Sequence, residues 1–513
     1  MYAFVHSGSL CGVDALPVQV EIDEGPGIQN FHLAGLPDGA VREARIRVKA
    51  AMENSGFDWP MRRLSLNLAP ADLRKDGTAY DLPIALAIIA ASGMLSTDGV
   101  ERLHRYVVAG ELSLDGELRP IRGALPMALC ARDQGLRGIV LPQDNVEEAR
   151  LVPGIEVVGC RHLTEAVAFC QGDRDAPEPV TVSGAPQLMP VPWPFDMADV
   201  RGQIAAKRAM EVAAAGGHNL LMIGPPGSGK TMLAKRMLTI LPQMQFEEAL
   251  ETTKVFSVSG LTQGRGLVTH RPFRAPHHTI SDVGMVGGGS GLPRPGEISL
   301  AHNGVLFLDE LPEFRRNVLE VMRQPLEDRY VSITRSLNTV RYPASLMLLA
   351  SMNPCPCGHL GDPNHECTDS PMSIAAYRNR LSGPLLDRID LHVEVPAVRY
   401  TELRGQASRQ EETSAAIRAR VDAARELQRA RLGGSGEHCN AQMSTAQIRE
   451  HCQVDDAGHR ILEMVVDRLG MSARAYDRIL KVARTIADLA QEPSLSSNHV
   501  AEAVQYRKLD RRV

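Results

Sequence analysis

Hydrophobic and polar residues follow different periods in three parts of the chain. Up to about residue 170, alternating segments such as Val18–Ile22 predict strands, and apolar runs such as Asp81–Ala91 predict helices. The middle of the chain alternates apolar strands with helices, as in a parallel sheet. From about Val398 the period is helical, with helices predicted over Thr413–Leu432 and Ala473–Leu489. The pattern therefore predicts an α/β fold that ends in a helical region.

A segment rich in Pro, Asp, Ser and Gly interrupts this pattern at residues 171–192 and is predicted to be an interdomain linker. It separates a first α/β domain, residues 1–170, from a core at residues 193–396 and a helical lid at residues 397–513. Several domains agree with a chain of 513 residues that is 44% hydrophobic, because a single core rarely holds so much chain.

Net charge and hydropathy limit the classes of function that the chain can have. The net charge of -5 gives no overall signature of a nucleic-acid binder, so any DNA site must be a local basic patch. The chain has no uncharged apolar run of about 18 residues and no signal-peptide pattern at its start. We therefore expect a cytoplasmic protein with no membrane partner, whose nine cysteines are mostly free thiols.

One motif carries the main chemical prediction. The apolar strand Asn219–Ile223 is followed by a glycine-rich loop of the kind that cradles phosphates, with a helix predicted directly after it. We predict that backbone N–H groups of the loop bind ATP, that Lys230 contacts its β- and γ-phosphates, and that Thr231 binds Mg²⁺. The predicted nucleotide-binding residues are Gly224, Pro225, Pro226, Gly227, Ser228, Gly229, Lys230 and Thr231.

A second motif supplies carboxylates for the same site. The apolar run Val305–Leu308 predicts a buried strand, and Asp309 and Glu310 follow at its end. Asp309 is predicted to hold Mg²⁺, and Glu310 to polarise the attacking water. The two motifs together predict an ATPase.

Further motifs make the chain resemble AAA+ ATPases of the magnesium-chelatase type, and within them the ComM/YifB family, from end to end. Asp199–Gln203 resembles the box that lies near the adenine in AAA+ proteins. The resemblance implies that Asn353 is the sensor that orients water, that Arg388 is an arginine finger for a neighbouring subunit, and that Arg474 is a second sensor of the γ-phosphate. It also implies an AAA+ P-loop domain with a parallel sheet and a helical lid.

The resemblance further implies a ring-forming homo-oligomer, a hexamer, that moves on single-stranded or branched DNA. In this family the expected role is branch migration during the integration of transforming DNA, alongside recombination proteins. An alternative is a chelatase-like motor that remodels a protein partner, since the ATPase core is shared with magnesium chelatase. Stimulation of the ATPase by DNA or by a protein cofactor would distinguish the two.

Two stretches without acidic residues are candidates for DNA contact, between Glu251 and Asp282 and between Asp328 and Asp362. In the second, Tyr330–Thr334 and Thr339–Tyr342 predict a hairpin before the sensor strand. We predict that its Arg335 and Arg341 contact DNA phosphates. The alternative is that the basic residues of both stretches pair with acidic groups elsewhere. These basic residues are Lys254, Arg265, His270, Arg271, Arg274, His277, His278, Arg329, Arg335 and Arg341.

A cysteine cluster after the sensor suggests a structural Zn²⁺ site, because thiolates and imidazoles at short spacing favour this ion. The predicted ligands are Cys355, Cys357, Cys367 and His365, with His359 or Asp369 as substitutes. The alternative is a group of free buried thiols. The Cys-x-Cys spacing is tighter than usual, and one cysteine expected from the family is missing.

The first domain resembles the proteolytic domain of Lon, of the ribosomal S5 domain 2-like type. Ala79 stands where Lon has its serine, and Leu125 where Lon has its catalytic lysine. Without a nucleophile and a base there is no Ser-Lys chemistry, so this domain is predicted to be catalytically dead.

Overall fold

The structure is a computed structural model. It describes residues 1–179, 192–262, 264, 266–289, 293–334, 339–362, 365–397, 411–433, 437–469 and 472–507. Of the residues predicted to act on DNA, Arg335 lies outside these ranges. Within them, no helix combines the length and the apolar content that crossing a membrane requires.

The first domain is built on a mixed sheet of seven strands in the order β3-β4-β2-β1-β5-β8-β9. Strands β1, β2 and β4 are antiparallel neighbours, whereas β5, β8 and β9 run parallel. The strands are β1 (Tyr2–Cys11), β2 (Asp14–Gly25), β3 (Asn30–Ala34), β4 (Arg63–Ala69), β5 (Tyr106–Val108), β6 (Glu111–Leu112), β7 (Leu118–Arg119), β8 (Gly138–Pro142) and β9 (Glu156–Cys160).

Helices cover the first domain's sheet, and the apolar α2 is buried along its whole length. This complete burial is what an unbroken apolar run predicts. The helices are α1 (Gly39–Asn54), α2 (Asp81–Ala91), α3 (Thr97–Leu103), α4 (Ala124–Asp133), α5 (Val146–Ala149) and α6 (Leu163–Gln171). The short β6 and β7 pair with each other at the side.

The second part of the chain contains a parallel sheet of five strands in the order β11-β14-β17-β10-β18. Its central strands β14 and β17 are fully buried and, apart from Ser351, apolar, because helices cover both faces. These strands are β10 (Leu220–Ile223), β11 (Phe273–Arg274), β14 (Val305–Leu308), β17 (Met347–Met352) and β18 (Leu391–Glu394). Two small hairpins accompany the sheet: β12 (Gly287–Gly288) with β13 (Arg294–Pro295), and β15 (Tyr330–Thr334) with β16 (Thr339–Pro343).

Helices of the core connect these strands, and a helical lid follows them. The core helices are α7 (Ile204–Gly216), α8 (Lys230–Ile240), α9 (Phe246–Ser259), α10 (Asp282–Val286), α11 (Glu297–Leu300), α12 (Arg316–Val321), α13 (Arg323–Asp328), α14 (Pro371–Arg378) and α15 (Gly383–Leu386). The lid helices are α16 (Ser414–Leu432), α17 (Thr445–His451), α18 (Asp456–Leu469), α19 (Ala473–Leu489) and α20 (Ser497–Gln505). The apolar face of α19 shares one hydrophobic core with α7 and the sheet.

The first domain packs against helix α9 and the β15–β16 hairpin of the second part. Helix α4 lies along α9, where the Gly123 N–H donates to the Ser257 carbonyl at 3.1 Å. The Lys254 Nζ and an Asp14 carboxylate oxygen are 3.0 Å apart in the same interface. The turn between β1 and β2 also contacts the β15–β16 hairpin, where a Cβ at Gly12 would lie 2.9 Å from the Arg341 carbonyl oxygen.

Candidate active site

The glycine-rich loop connects the carboxyl end of β10 to the amino end of α8. Gly227 and Gly229 have φ angles of 74° and 91°, in the left-handed region that favours glycine. A Cβ at Gly224 would lie 2.0 Å from the Val395 carbonyl oxygen, so only glycine fits beside β18. The loop therefore has the tight curvature that exposes successive N–H groups to a phosphate.

Lys230 opens α8 and turns its side chain back over the loop. Its Nζ donates to the carbonyl oxygens of Gly224 and Pro225 at 2.7 and 2.9 Å, and to Asn353 Oδ1 at 3.3 Å. Burial lowers the pKa of Lys230, and the nearby Asp309 and Glu310 carboxylates partly oppose that shift. The ammonium group therefore links the loop to the predicted sensor, Asn353, within one chain.

Thr231 and Asp309 come together where α8 begins beside the end of β14. The Thr231 hydroxyl donates to Asp309 Oδ2 at 2.7 Å, and Ser351 on β17 donates to the other carboxylate oxygen. Hydroxyl and carboxylate oxygens are ligands that Mg²⁺ prefers, and it is usually held through one or two carboxylates plus substrate phosphates. The two predicted magnesium ligands thus form one set of suitable oxygens.

Glu310 follows Asp309 and projects toward solvent. Its φ of 54° is uncommon for a residue with a side chain, and its side chain is 57% exposed. The Glu310 N–H donates to Ser351 Oγ at 3.3 Å, and His278 Nδ1 lies 3.9 Å from Glu310 Oε2. Sequence reasoning noted His278 only as a basic residue and gave Ser351 no role. Neither contact could be predicted from the residues near Glu310 in the sequence, because both join segments that are far apart in the chain.

Arg388 and Arg474 lie at the other edge of the sheet from the glycine-rich loop. The Arg388 carbonyl accepts from the Asn219 side chain at 2.8 Å, which places Arg388 before the amino end of β10. The loop follows the carboxyl end of this strand, about 16 Å away at the rise of a β-strand. The structure therefore separates both arginines from the other predicted catalytic residues of the same chain.

A single carboxylate holds the two arginines together. Arg388 Nη2 donates to Glu327 Oε2, and Arg474 Nη2 lies 3.1 Å from Glu327 Oε1. The three side chains line a cavity of about 410 Å³ between the sheet edge and the lid, together with Arg478 and Lys481. Sequence reasoning missed Glu327, since nothing in its own segment identifies it as a partner of these arginines.

The predicted hairpin is present as β15 and β16, in antiparallel register from Tyr330↔Pro343 to Thr334↔Thr339. Arg341 is exposed, and its guanidinium carbon lies 4.9 Å from the centroid of the Tyr330 ring. The hairpin thus presents a cation and an aromatic face on the same strand pair.

Several basic residues of the first stretch without acidic residues form ion pairs with acidic groups elsewhere in the fold, which was the alternative to DNA contact. Arg271 bonds to Glu248 at 2.9 Å, and Arg274 bonds to Glu297 at 2.6 and 2.7 Å. Lys254 pairs with Asp14, as described above, and Arg265 lies outside the described residues. These side chains hold the fold together and are not free for a phosphate backbone.

The cysteines converge into one cluster, but with Asp369 and without His365. The three sulfur–sulfur distances among Cys355, Cys357 and Cys367 are 3.4, 3.6 and 3.7 Å, and Asp369 Oδ2 lies 3.9 Å from Cys367 Sγ. Tetrahedral zinc with bonds of about 2.3 Å places neighbouring sulfurs about 3.8 Å apart, so this donor set fits the ion. The structure thus brings Asp369, one of the predicted substitutes, to the three sulfurs, and not His365.

His365 belongs to a second group. Its Nδ1 and that of His359 each lie 3.2 Å from Asp362 Oδ2. The cysteine cluster in turn contacts the glycine-rich loop, because a Cβ at Gly358 would lie 2.6 Å from Pro226 Cδ.

The positions of the Lon dyad are apolar in the first domain. Leu125 is fully buried, and Ala79 packs against the same hydrophobic cluster. Lys75 is also buried, and its Nζ donates to the Pro70 carbonyl, while burial lowers its pKa. The cluster offers neither a hydroxyl nucleophile at residue 79 nor an amine at residue 125.

Comparison with known proteins identifies the family. A family model described as magnesium chelatase, subunit ChlI, matches residues 196–403, and two further ChlI models match residues 19–145 and 411–507. Competence protein ComM of Haemophilus influenzae is 43% identical over 517 residues, which cover 99% of this chain and 98% of that protein. The chain belongs to the ComM/YifB family.

Other relatives agree with this membership. The uncharacterized protein YifB of Escherichia coli K12 is 42% identical over 514 residues, covering 99% of this chain and 97% of that protein. Lon protease 2 of Bacillus subtilis is 30% identical over 145 residues, which cover 27% of this chain and 26% of that protein. Together with the sheet and the lid, these matches confirm the predicted fold class: an AAA+ domain preceded by a Lon-like domain.

Proposed function

We propose that this ComM/YifB protein is a ring-forming ATPase that moves on DNA and promotes branch migration when transforming DNA is integrated. The observation that carries the proposal is the division of the ATP machinery between two edges of one sheet. Lys230, Thr231, Asp309 and Glu310 lie at one edge, and Arg388 lies at the other. A complete site then needs two chains.

The role in transformation rests on the relative named competence protein ComM, at 43% identity. The residues of this chain support the hydrolysis that would drive such a role.

Within this proposal each residue of the first edge has a defined task. N–H groups of Gly227–Thr231 would hold the phosphates, and the Lys230 ammonium leaves its carbonyl partners to bind phosphate oxygens. Glu310 would accept the proton of a water that attacks the γ-phosphate, and Asn353 would orient that water. Mg²⁺, held by Thr231 and Asp309, would neutralise charge on the phosphates.

The arginines complete the site of a neighbouring chain. Because Arg388 and Arg474 lie at the edge away from their own loop, a heterologous ring contact would bring them to the next chain's γ-phosphate. Such a finger increases hydrolysis by roughly three to five decades. Hydrolysis would then depend on assembly, which we propose to be a hexamer.

The β15–β16 hairpin is the proposed DNA contact. The exposed Arg341 meets the requirement for a phosphate contact, and we propose the same contact for Arg335, which lies outside the described residues. The pairing of Arg271 and Arg274 within the fold leaves the hairpin as the better candidate.

We also propose that Cys355, Cys357, Cys367 and Asp369 bind a structural Zn²⁺. The support is the spacing of the three sulfurs, with Asp369 as the nearest carboxylate. Metal analysis of purified protein should find about one Zn²⁺ per chain. The double variant Cys355→Ser, Cys357→Ser should lose it, whereas His365→Ala should keep it. Zinc content that depends on His365 but not on Asp369 would contradict this ligand set.

The test of the main proposal is steady-state ATP hydrolysis with no DNA, with single-stranded DNA and with branched DNA. DNA should stimulate the wild-type rate, and Glu310→Gln should bind ATP without turning it over. An ATPase that ignores DNA but responds to a protein cofactor would favour a chelatase-like motor instead.

A further inference from the structure

The Glu327 carboxylate lies between two cations that the proposed function assigns to another chain's nucleotide. One of its oxygens accepts from Arg388 and the other lies 3.1 Å from Arg474. The Arg388 side chain is 9% exposed, whereas those of Glu327 and Arg474 are 43% and 62% exposed. One negative charge therefore holds two positive charges, and solvent or a neighbouring chain can reach Glu327 and Arg474, while Arg388 is largely buried behind them.

Glu327 also lies directly before the hairpin. It is the second-last residue of α13, Arg329 then takes a left-handed φ of 61°, and β15 begins at the next residue. The Arg329 guanidinium donates to the Gln442 carbonyl of the lid at 2.7 Å, and its own carbonyl accepts from the Ala344 N–H after β16. A displacement of Glu327 would therefore be passed to the base of the hairpin through two residues.

A γ-phosphate competes well with this carboxylate. It offers three acceptor oxygens and more than one negative charge, and guanidinium groups bind phosphate with two parallel hydrogen bonds. The existing pair of Glu327 with Arg474 is half-exposed, and ion pairs at such exposure are weak. Arg388 Nε has no hydrogen-bond partner within the described structure, so this N–H group could donate an additional hydrogen bond to a phosphate.

We propose that Glu327 is a positioning residue that keeps Arg388 and Arg474 bound until the γ-phosphate of ATP on a neighbouring chain binds them instead. The Glu327 carboxylate then loses both partners, which frees the end of α13 and shifts the β15–β16 hairpin. This inference rests on the proposed function, because it needs both a neighbouring chain and a hairpin that contacts DNA. It links the nucleotide on one chain to the DNA contact of the next.

The test compares four full-length proteins: wild type, Glu327→Gln, Glu327→Asp and Glu320→Gln. Initial rates of ATP hydrolysis are measured with no DNA and with saturating single-stranded DNA. Glu320 is the matched control, since it lies on the preceding helix α12, has 34% side-chain exposure and pairs with Arg323. Thermal unfolding of each variant monitors the fold.

Glu327→Gln should raise the DNA-free rate at least threefold and change the DNA-stimulated rate less than twofold, so the stimulation ratio falls. Its KM for ATP should not rise, because Glu327 lies away from its own chain's glycine-rich loop and its loss removes a competitor of the γ-phosphate for the two arginines. Glu327→Asp, one methylene shorter, should show a smaller rise, and Glu320→Gln should behave as wild type. If Glu327→Gln does not fold, the Asp variant decides.

Two results would overturn the proposal: an unchanged stimulation ratio in Glu327→Gln, or a parallel fall of both rates together with the unfolding temperature. Failure of the proposed function would give a different result from failure of this inference. In that case DNA does not stimulate the wild type, and the DNA-free rate of Glu327→Gln relative to wild type and Glu320→Gln still decides whether the arginines are held back.

Discussion

Subunits that each lack one half of the site should restore hydrolysis when they are mixed. Arg388→Ala removes the proposed finger but leaves the chain's own loop, Thr231 and Asp309 intact. Glu310→Gln removes the proposed base but keeps the finger. In one chain these two residues lie at different edges of the sheet, separated by about 16 Å along β10 at the rise of a β-strand. Neither variant can repair its own site.

The size of the recovery follows from the geometry of a ring. Each variant alone should lose roughly three decades or more in rate, equivalent to about 4 kcal/mol of transition-state stabilisation. In rings mixed at random from equal amounts, about one interface in four joins an intact Glu310 to an intact Arg388 across a heterologous contact. The mixture should therefore reach up to about a quarter of the wild-type rate.

The assay is steady-state ATP hydrolysis with DNA after the two variants have been incubated together to exchange subunits. Arg132→Ala is the control arginine, because it removes only an exposed pair with Asp133 in the first domain and should keep the wild-type rate. A mixture no more active than the two separate variants would refute the division of the site between chains. So would an Arg388→Ala protein that hydrolyses ATP normally.

Three further predictions test other parts of the account. Arg341→Ala should weaken DNA binding and lower the slope of log affinity against log salt by about one unit; an unchanged slope in a salt titration would remove this residue from the DNA contact. Gly358→Ala should lower ATP affinity at least fivefold in a nucleotide-binding titration, because its Cβ would meet Pro226 Cδ at 2.6 Å. Gly361→Ala, at a similar φ of 80° with nothing within 4 Å, should not, and equal effects would contradict the coupling. Burial on β18 lowers the pKa of His392 from 6.5 to about 3, so the neutral ring stabilises the fold above pH 6.5 and this contribution is lost as pH falls toward 3. We expect a loss of about 2 kcal/mol between pH 7 and pH 5 in denaturant unfolding, absent in His392→Leu; equal losses in both proteins would contradict this.

Local patterns predicted much of the fold. The helix limits Asp81–Ala91 and Ala473–Leu489 are confirmed, because an unbroken apolar run and a strong amphipathic period each specify a helix without help from distant residues. Thr413 caps α16 rather than belonging to it, since its hydroxyl accepts from the Ala416 N–H. The sensor strand expected after the hairpin is β17, Met347–Met352, which pairs with β14 from Val305↔Met347 to Leu308↔Ala350.

Contacts between distant segments could not be predicted in the same way. The two basic stretches contain no acidic residue of their own, but Lys254 pairs with Asp14, 240 positions away. Arg274 likewise pairs with Glu297, just beyond the end of its stretch. Folding brings these charges together, so a local count overestimates the free positive charge.

The cysteine cluster and the pair Arg388 and Arg474 also depend on contacts that local sequence patterns do not predict. The spacing of Cys355 and Cys357 indicated metal ligands, but in the structure His365 contacts Asp362, and Asp369 accepts from the Cys357 N–H beside the sulfurs. No spacing rule connects Glu327 with Arg474, which is recruited from the lid. Residues such as Glu327, which hold a site in position, are therefore not identified by local sequence patterns.

The most direct test of the central claim is ATP-driven branch migration of a synthetic DNA junction, followed as strand release on a gel. The account predicts migration with the wild-type protein and ATP, and none with Glu310→Gln. It also predicts none with Arg388→Ala, and recovery when these two variants are mixed. A wild-type protein that hydrolyses ATP but leaves the junction in place, at protein concentrations that saturate the DNA, would contradict the claim that this ATPase moves DNA.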